Sequence, residues 1–173
     1  MLIYWIWFAQ LKNLSCSQKQ MLLQHFRDPE EIYHSSSDAF AVVEGMTETM
    51  RLALEDKSLE EAQKILSDCT DKGICVLTFG DKAYPDRLKN TYDPPMVLYY
   101  KGKLPAWEEI PIIGIVGTRK ATPYGMRAAH RYAGQITACG GLVVSGGADG
   151  IDTMAMEGAL AAGGTVVGVL GCG

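Results

Sequence analysis

Three short apolar runs in the last third of the chain each end in a turn that contains glycine. Residues 112–116 lead into Gly117-Thr118-Arg119, residues 142–144 into Ser145-Gly146-Gly147, and residues 165–170 into Gly171-Cys172-Gly173. Helix-forming segments separate the runs, so the pattern is β-α-β-α-β with crossovers long enough for parallel strands. The carboxyl ends of parallel strands share one edge of a sheet, and open α/β sheets bind their ligands there. The pattern predicts an α/β fold with a binding site at this edge.

The residue types in these turns are suited to phosphate. Glycine exposes backbone N–H groups, serine and threonine add hydroxyls, and arginine donates two parallel hydrogen bonds to phosphate oxygens. The predicted phosphate-binding residues are Gly117, Thr118, Arg119, Lys120, Ser145, Gly146, Gly147 and Gly150. Arg119 is the strongest candidate because it lies between a glycine turn and the predicted helix start at Thr122-Pro123. The alternative interpretation is that Arg119 has only a structural role and forms a salt bridge on the surface.

Other charged residues near the turns have structural interpretations. Asp152, at the start of the second crossover helix, is predicted to cap that helix or to accept a hydrogen bond from a neighbouring N–H. Asp149 counts against a simple anion site, because a carboxylate beside a phosphate repels it. Arg127 and Arg131 lie four residues apart on the first crossover helix, where they could extend a basic stripe but are interpreted as a solvated face.

The sequence lacks the motifs of several common α/β enzymes. It has no G-x-G-x-x-G fingerprint, no G-x-x-x-x-G-K-[ST] loop and no G-x-S-x-G elbow around Ser145. Its three histidines lie far from the turns in sequence, and its five cysteines include no C-x-x-C pair. We therefore expect no catalytic group, no metal site and no cofactor, and we interpret the cysteines as reduced thiols of a cytoplasmic protein.

The chain changes character near residue 70. Residues 1–66 have helical periodicity, and the apolar segment at residues 1–11 is too short to cross a bilayer and is predicted to be a core helix. Residues 1–73 carry 7 Lys and Arg against 12 Asp and Glu, whereas residues 74–173 carry 9 against 8. We predict a helical domain at residues 1–68 and an α/β domain at residues 69–173. Any nucleic-acid binding must depend on a local cluster of cations.

The β-α-β-α-β pattern stops abruptly at Gly173. Parallel sheets normally have helices on both faces, and the last strand would need a covering helix that the sequence does not supply. We therefore expect the chain to be a fragment, or its remaining partner to lie in another chain.

Several motifs in a fixed order resemble the DNA-processing protein A (DprA/Smf) family. They are Tyr84-Pro85-x-x-Leu88, Asp93-Pro94-Pro95-x-Val97-Leu98-Tyr99, Ile115-Val116-Gly117-Thr118-Arg119, Ser145-Gly146-x-Ala148-x-Gly150-Ile151-Asp152 and Gly158-Ala159-Leu160. The resemblance covers residues 74–173, and the preceding part is loosely similar to the family's small helical, SAM-like domain. It implies a Rossmann-like parallel sheet, here an incomplete three-layer α/β/α arrangement.

The resemblance also implies a function. Members of this family bind and protect single-stranded DNA without catalysis and help to load the RecA recombinase during natural transformation, and the full-length protein is expected to be a homodimer. The family's DNA-contacting arginine falls on Arg119, and its phosphate-binding turn falls on Ser145 and Gly146. Two departures predict weaker DNA binding: Met156 stands where the family commonly has His, and Asp149 stands where it often has a basic or neutral residue.

Two other functions are compatible with a glycine-rich α/β edge. Lysine-decarboxylase-like phosphoribohydrolases have a similar layout, but their P-G-G-x-G-T loop and following glutamate are missing from this sequence. In a purely structural interaction domain, the glycines would serve only close packing of helices on strands.

Overall fold

The computed structural model describes residues 1–171 and divides the chain into two compact units, Met1–Leu104 and Pro105–Gly173. The boundary predicted between residues 68 and 69 lies inside the first unit. The reason is that the first two strands pair with each other and contact helices of the N-terminal part, so residues 69–104 pack with the helices that precede them.

Six helices make up most of the first unit. They are α1 (Leu2–Gln10), α2 (Cys16–His25), α3 (Pro29–His34), α4 (Ser37–Ala41), α5 (Glu48–Glu55) and α6 (Glu60–Asp71). Local sequence sets several of their starts: Ser15 and Gln18 form a reciprocal capping box before α2, and Asp28 caps α3 ahead of a proline in the first turn. Each cap satisfies backbone N–H groups that have no partner within the helix.

The core of the first unit confirms that the apolar N-terminal segment is a core helix. Ile6 and Phe8 of α1 are completely buried and pack with Leu22, Ile32 and Met50 from three other helices. The helical periodicity that places Leu22 and Ile32 on inward faces is confirmed by their burial. Among the residues that the structure describes, no helix is both long and apolar enough to cross a membrane.

A small antiparallel pair follows these helices. Strand β1 (Cys75–Thr78) pairs with β2 (Val97–Tyr100), and the short helix α7 (Asp86–Lys89) lies between them. Buried Tyr84 anchors this connection, because its hydroxyl donates a 2.7 Å hydrogen bond to the carbonyl of Pro95 just before β2. Pro94 and Met96 are also buried, so the segment around the consecutive prolines is held against the unit by several contacts.

The second unit is a parallel α/β sheet, as the sequence predicts. Its elements are β3 (Ile112–Gly114), α8 (Pro123–Ala138), β4 (Leu142–Ser145), α9 (Ile151–Ala161) and β5 (Val166–Gly168). The strand order is β3-β4-β5, with Ile113 opposite Val143 and Val143 opposite Val166. The α/β class and the β-α-β-α-β pattern are therefore confirmed.

Helices α8 and α9 pack tightly against each other and both contact β4. Because the strands follow one another in chain order, right-handed crossovers place both helices on the same face of the sheet. Within the described part of this unit, residues 105–171, helices α8 and α9 therefore form one of the two helical layers that a three-layer α/β/α arrangement contains. Part of the third predicted turn, Cys172 and Gly173, lies outside the described residues.

Candidate functional site

The turn after β3 leads directly from the sheet into α8. The N–H of Ile115 still bonds to the Val144 carbonyl at 2.9 Å, so the strand pairing extends to the start of the turn. The Thr118 hydroxyl then accepts from the N–H of Lys120 at 3.1 Å, and the Thr122 side chain accepts from the N–H of Gly125 to start α8. These bonds give the turn a defined backbone without using the side chains of Arg119 or Lys120.

Ser145, at the end of β4, joins neighbouring strands. Its hydroxyl donates to the Ile115 carbonyl at 2.7 Å, its own carbonyl accepts from the N–H of Val169 at 2.8 Å, and its side chain is buried. The Ser145 hydroxyl, which the sequence predicts to bind phosphate, therefore donates its proton inside the protein. Ser145 positions the carboxyl ends of the strands at this edge of the sheet.

Asp152 connects the first two turns. It is 5% exposed, and its Oδ1 atom accepts a 2.9 Å hydrogen bond from the N–H of Gly117. The N-cap position of α9 is Gly150, so Asp152 is not the N-cap of its own helix, and of its two predicted roles the hydrogen bond corresponds to the second. Asp152 is instead the partner of an N–H in the neighbouring turn, and that N–H is not free for a ligand.

Glycine is required where the turn after β4 approaches the turn after β3. Gly150 has φ +88°, and a Cβ atom there would collide with the Thr118 carbonyl and lie 2.8 Å from the Arg119 carbonyl oxygen. The N–H of Ile151 donates to the same Thr118 carbonyl at 3.3 Å. The two turns are thus in direct backbone contact.

The chain after β5 joins the same edge. Besides the bond from Val169 to Ser145, a Cβ atom on Gly147 would lie 3.3 Å from the Leu170 side chain. The structure therefore brings together Gly117, Thr118, Arg119, Lys120, Ser145, Gly146, Gly147 and Gly150 at the carboxyl ends of the strands. We call this surface the strand-end edge.

The side chains that remain available at the strand-end edge are mainly cationic. Thr118, Arg119 and Lys120 are exposed, and within residues 1–171 Arg119 forms neither an ion pair nor a hydrogen bond through its guanidinium. Within these residues, Arg119 therefore does not form the surface salt bridge that is the alternative interpretation of this side chain. Asp149 is also exposed at this edge and has no cationic partner among the same residues. An anionic ligand would meet two cations and one carboxylate.

Two features of the edge were not predicted from the sequence. One is the use of the Ser145 hydroxyl and the Gly117 N–H inside the protein, which only the three-dimensional contacts reveal. The other is that the Asp152 carboxylate is buried and that its partner lies in a different turn, 35 residues away, which the position of an Asp at a helix start does not indicate. Within residues 1–171, no three His, Cys, Asp or Glu side chains are grouped as a metal site.

These observations define a class of protein, an α/β protein with a parallel sheet whose glycine-rich strand-end turns carry the exposed cations Arg119 and Lys120. The sequence profile of the family described as DNA recombination-mediator protein A matches residues 57–173. The chain belongs to this family.

Individual relatives agree with the family assignment. The chain is 34% identical to Protein Smf of Synechocystis sp. over 175 aligned positions, which cover 98% of this chain and 44% of that protein. It is 37% identical to the DNA processing protein DprA of Bacillus subtilis over 110 positions, covering 64% of this chain and 37% of the relative. The chain thus spans less than half the length of these two relatives.

A solved structure shows the same fold. The crystal structure of DNA processing protein A from Streptococcus pneumoniae superposes with a TM-score of 0.74, covering 100% of this chain and 59% of the other, at 24% sequence identity. At 24% sequence identity, this structural similarity establishes the fold alone. The Rossmann-like class expected from the resemblance is confirmed.

Proposed function

We propose that this chain binds single-stranded DNA at the strand-end edge. Backbone N–H groups of the glycine turns and the side chains of Arg119 and Lys120 would contact the phosphates, so that binding depends little on base sequence. The observation that carries the proposal is an exposed guanidinium, with no partner among residues 1–171, at the point where the turns of a parallel sheet meet. Membership of the DNA recombination-mediator protein A family supports DNA as the polyanion.

The proposal extends to the cellular role of the longer relatives. We infer that the protein protects single-stranded DNA in the cytoplasm, helps to load RecA during natural transformation, acts without catalysis, and is a homodimer at full length. The support is the family match together with a Synechocystis relative that aligns with nearly the whole chain. Gly117 and Ser145 have structural roles within this site, since their polar groups are paired inside the protein.

Titration of a fluorescently labelled oligothymidylate, followed by anisotropy at several salt concentrations, tests the proposed site. We expect Arg119→Ala to weaken binding about tenfold or more at low salt and to reduce the slope of log K against log [salt] by about 0.7, which corresponds to one lost phosphate contact. Lys12→Ala is the matched control, because Lys12 is an exposed cation of the first unit and lies outside the site. Equal binding by Arg119→Ala and the parent would show that the site is misassigned.

The phosphoribohydrolase alternative is tested with the same protein. Incubation with nucleoside monophosphates, followed by chromatography, should release no free base. If the parent releases free base and Arg119→Ala does not, the function of the strand-end edge is nucleotide hydrolysis and not DNA binding.

A further inference from the structure

The positive charge of the strand-end edge continues along α8. Residues 110–148 contain four Lys and Arg residues and no Asp or Glu. Two of the four, Arg119 and Lys120, lie in the turn before α8, and the other two, Arg127 and Arg131, lie on the helix itself. This stretch therefore has four formal positive charges and no negative one, on a protein with a net charge of −4.

The exposed side of α8 carries aromatic rings as well as arginines. At 100° per residue, Tyr124, Arg127 and Arg131 lie on the side opposite Ala129 and Ala133, which are buried against the rest of the unit. Tyr124 is 73% exposed, and Tyr132, which lies between the exposed and the buried side of the helix, is 51% exposed. We call Tyr124, Arg127, Arg131 and Tyr132 the α8 face.

The α8 face differs from an ordinary solvated helix surface. Such surfaces usually mix acids and bases in i,i+4 pairs, but neither Arg127 nor Arg131 forms an ion pair with any residue in the range 1–171. The central carbon of the Arg131 guanidinium lies 4.8 Å from the centroid of the Tyr132 ring, a cation–π contact between neighbouring residues. Beside Arg127, a cleft of about 390 Å³ is lined by Pro123, Met126 and Met154.

We propose that the α8 face is a second contact surface for single-stranded DNA. The strand bound at the strand-end edge continues along the helix, with phosphates on Arg127 and Arg131 and bases stacked on Tyr124 and Tyr132. Exposed aromatic rings combined with cations are the general means of binding a single strand without sequence preference. The two tyrosines lie about 12 Å apart along the helix axis, so several nucleotides fit beside the helix. This inference rests on the proposed function of the strand-end edge.

Two lengths of oligothymidylate separate the α8 face from the strand-end edge. A strand of about 5 nucleotides occupies the edge alone, whereas one of about 15 also reaches the helix. For the long strand, the double variant Arg127→Gln/Arg131→Gln should bind at least tenfold more weakly, with a salt slope reduced by about 1.4 for two lost phosphates. Tyr124→Ala/Tyr132→Ala should weaken binding of the long strand by about 30-fold or more with an unchanged slope, since stacking involves no counterion release.

The short strand and a charge-matched variant serve as controls. Both double variants should bind the short strand as the parent does, and Lys12→Gln/Lys64→Gln, which removes two exposed cations from the first unit, should leave the long strand's salt slope unchanged. Circular dichroism checks that each variant is folded.

The outcomes distinguish the two proposals. If Arg119→Ala weakens both strands but neither double variant on α8 changes binding of the long strand, the α8 face is not a DNA surface and the edge assignment stands. If the parent binds neither strand at low salt, both proposals fail. If Arg127→Gln/Arg131→Gln weakens the short strand as strongly as the long one, the second surface is not separate from the edge and this inference is overturned.

Discussion

Replacing Gly158 by alanine tests the closest approach in the second unit. Gly158 lies on α9 where it crosses α8, and a Cβ atom there would collide with the His130 carbonyl oxygen. The same atom would lie 2.7 Å from the carbonyl carbon of His130 and 2.8 Å from its Cα. All three atoms belong to the backbone, so no side-chain rotation can relieve the overlap. The two helices must move apart.

Two effects of opposite sign set the magnitude. Alanine is favoured over glycine in a helix interior by about 0.8–1 kcal/mol, so local propensity alone predicts that Gly158→Ala stabilises the protein. Overfilling a packed interior costs about 1–3 kcal/mol, and separating α8 from α9 also loses dispersion contacts among the small residues between them. Because the obstacle is rigid, we expect the packing loss to lie at the high end of its range and to exceed the propensity gain, with a net destabilisation of about 1–2 kcal/mol.

Urea unfolding and hydrogen–deuterium exchange measure this effect. Exchange at the amides of α8 and α9 reports on the second unit alone, and it should become faster in Gly158→Ala while the helices of the first unit are unchanged. Gly125→Ala is the matched control. Gly125 is also helical, and a Cβ atom there meets its nearest neighbours at an ordinary 3.4 Å, so this variant should be neutral or slightly more stable. A Gly158→Ala protein as stable as Gly125→Ala would refute the close crossing of the two helices.

Two further changes test particular bonds. Asp152→Ala leaves the N–H of Gly117 without its acceptor and should destabilise the second unit by about 1.5–3 kcal/mol in urea unfolding. Asp152→Asn keeps an acceptor oxygen and should lose clearly less stability. Equal losses in the two variants would mean that this hydrogen bond contributes nothing to stability. Burial, with a smaller contribution from the charge of Cys16, raises the pKa of Tyr84 to about 12. Since the unfolded pKa is about 10, the stability that this shift provides is complete below pH 10 and is lost as the pH rises through 12. The free energy of unfolding should therefore fall more steeply between pH 10 and 12 for the parent than for Tyr84→Phe, and parallel curves would contradict the assignment.

Much of the site could be predicted from local pattern. The turns at Gly117, Ser145 and Gly150 follow β-branched runs and precede helix starts, and parallel strands necessarily bring such turns to one edge. Chain order also fixes that Arg119 lies in a turn. No local pattern indicates which donors stay free, because the groups that use the Gly117 N–H and the Ser145 hydroxyl lie 35 residues away in Asp152 and 30 residues away in Ile115.

The domain boundary, like the hydrogen-bond partners, depends on contacts between segments that are distant in sequence. Composition changes near Gly73, where helices give way to strands, but the compact unit continues to Leu104. The difference arises because β1 and β2 form an antiparallel pair that contacts α1 and α6, a choice of partner that hydrophobic periodicity does not encode.

The amino-acid sequence by itself determined the element types, the parallel α/β order of the second unit and the collection of glycine, hydroxyl and cationic residues at strand ends. These depend on side-chain periodicity and backbone freedom, which act over a few residues. Only the tertiary structure decided that Asp152 and Ser145 join the turns, that Arg119 pairs with no group within residues 1–171, and that the arginines of α8 face outward beside exposed tyrosines. Hydrogen-bond pairing and burial are settled by which distant groups come within about 3 Å of each other, and that depends on how the elements pack.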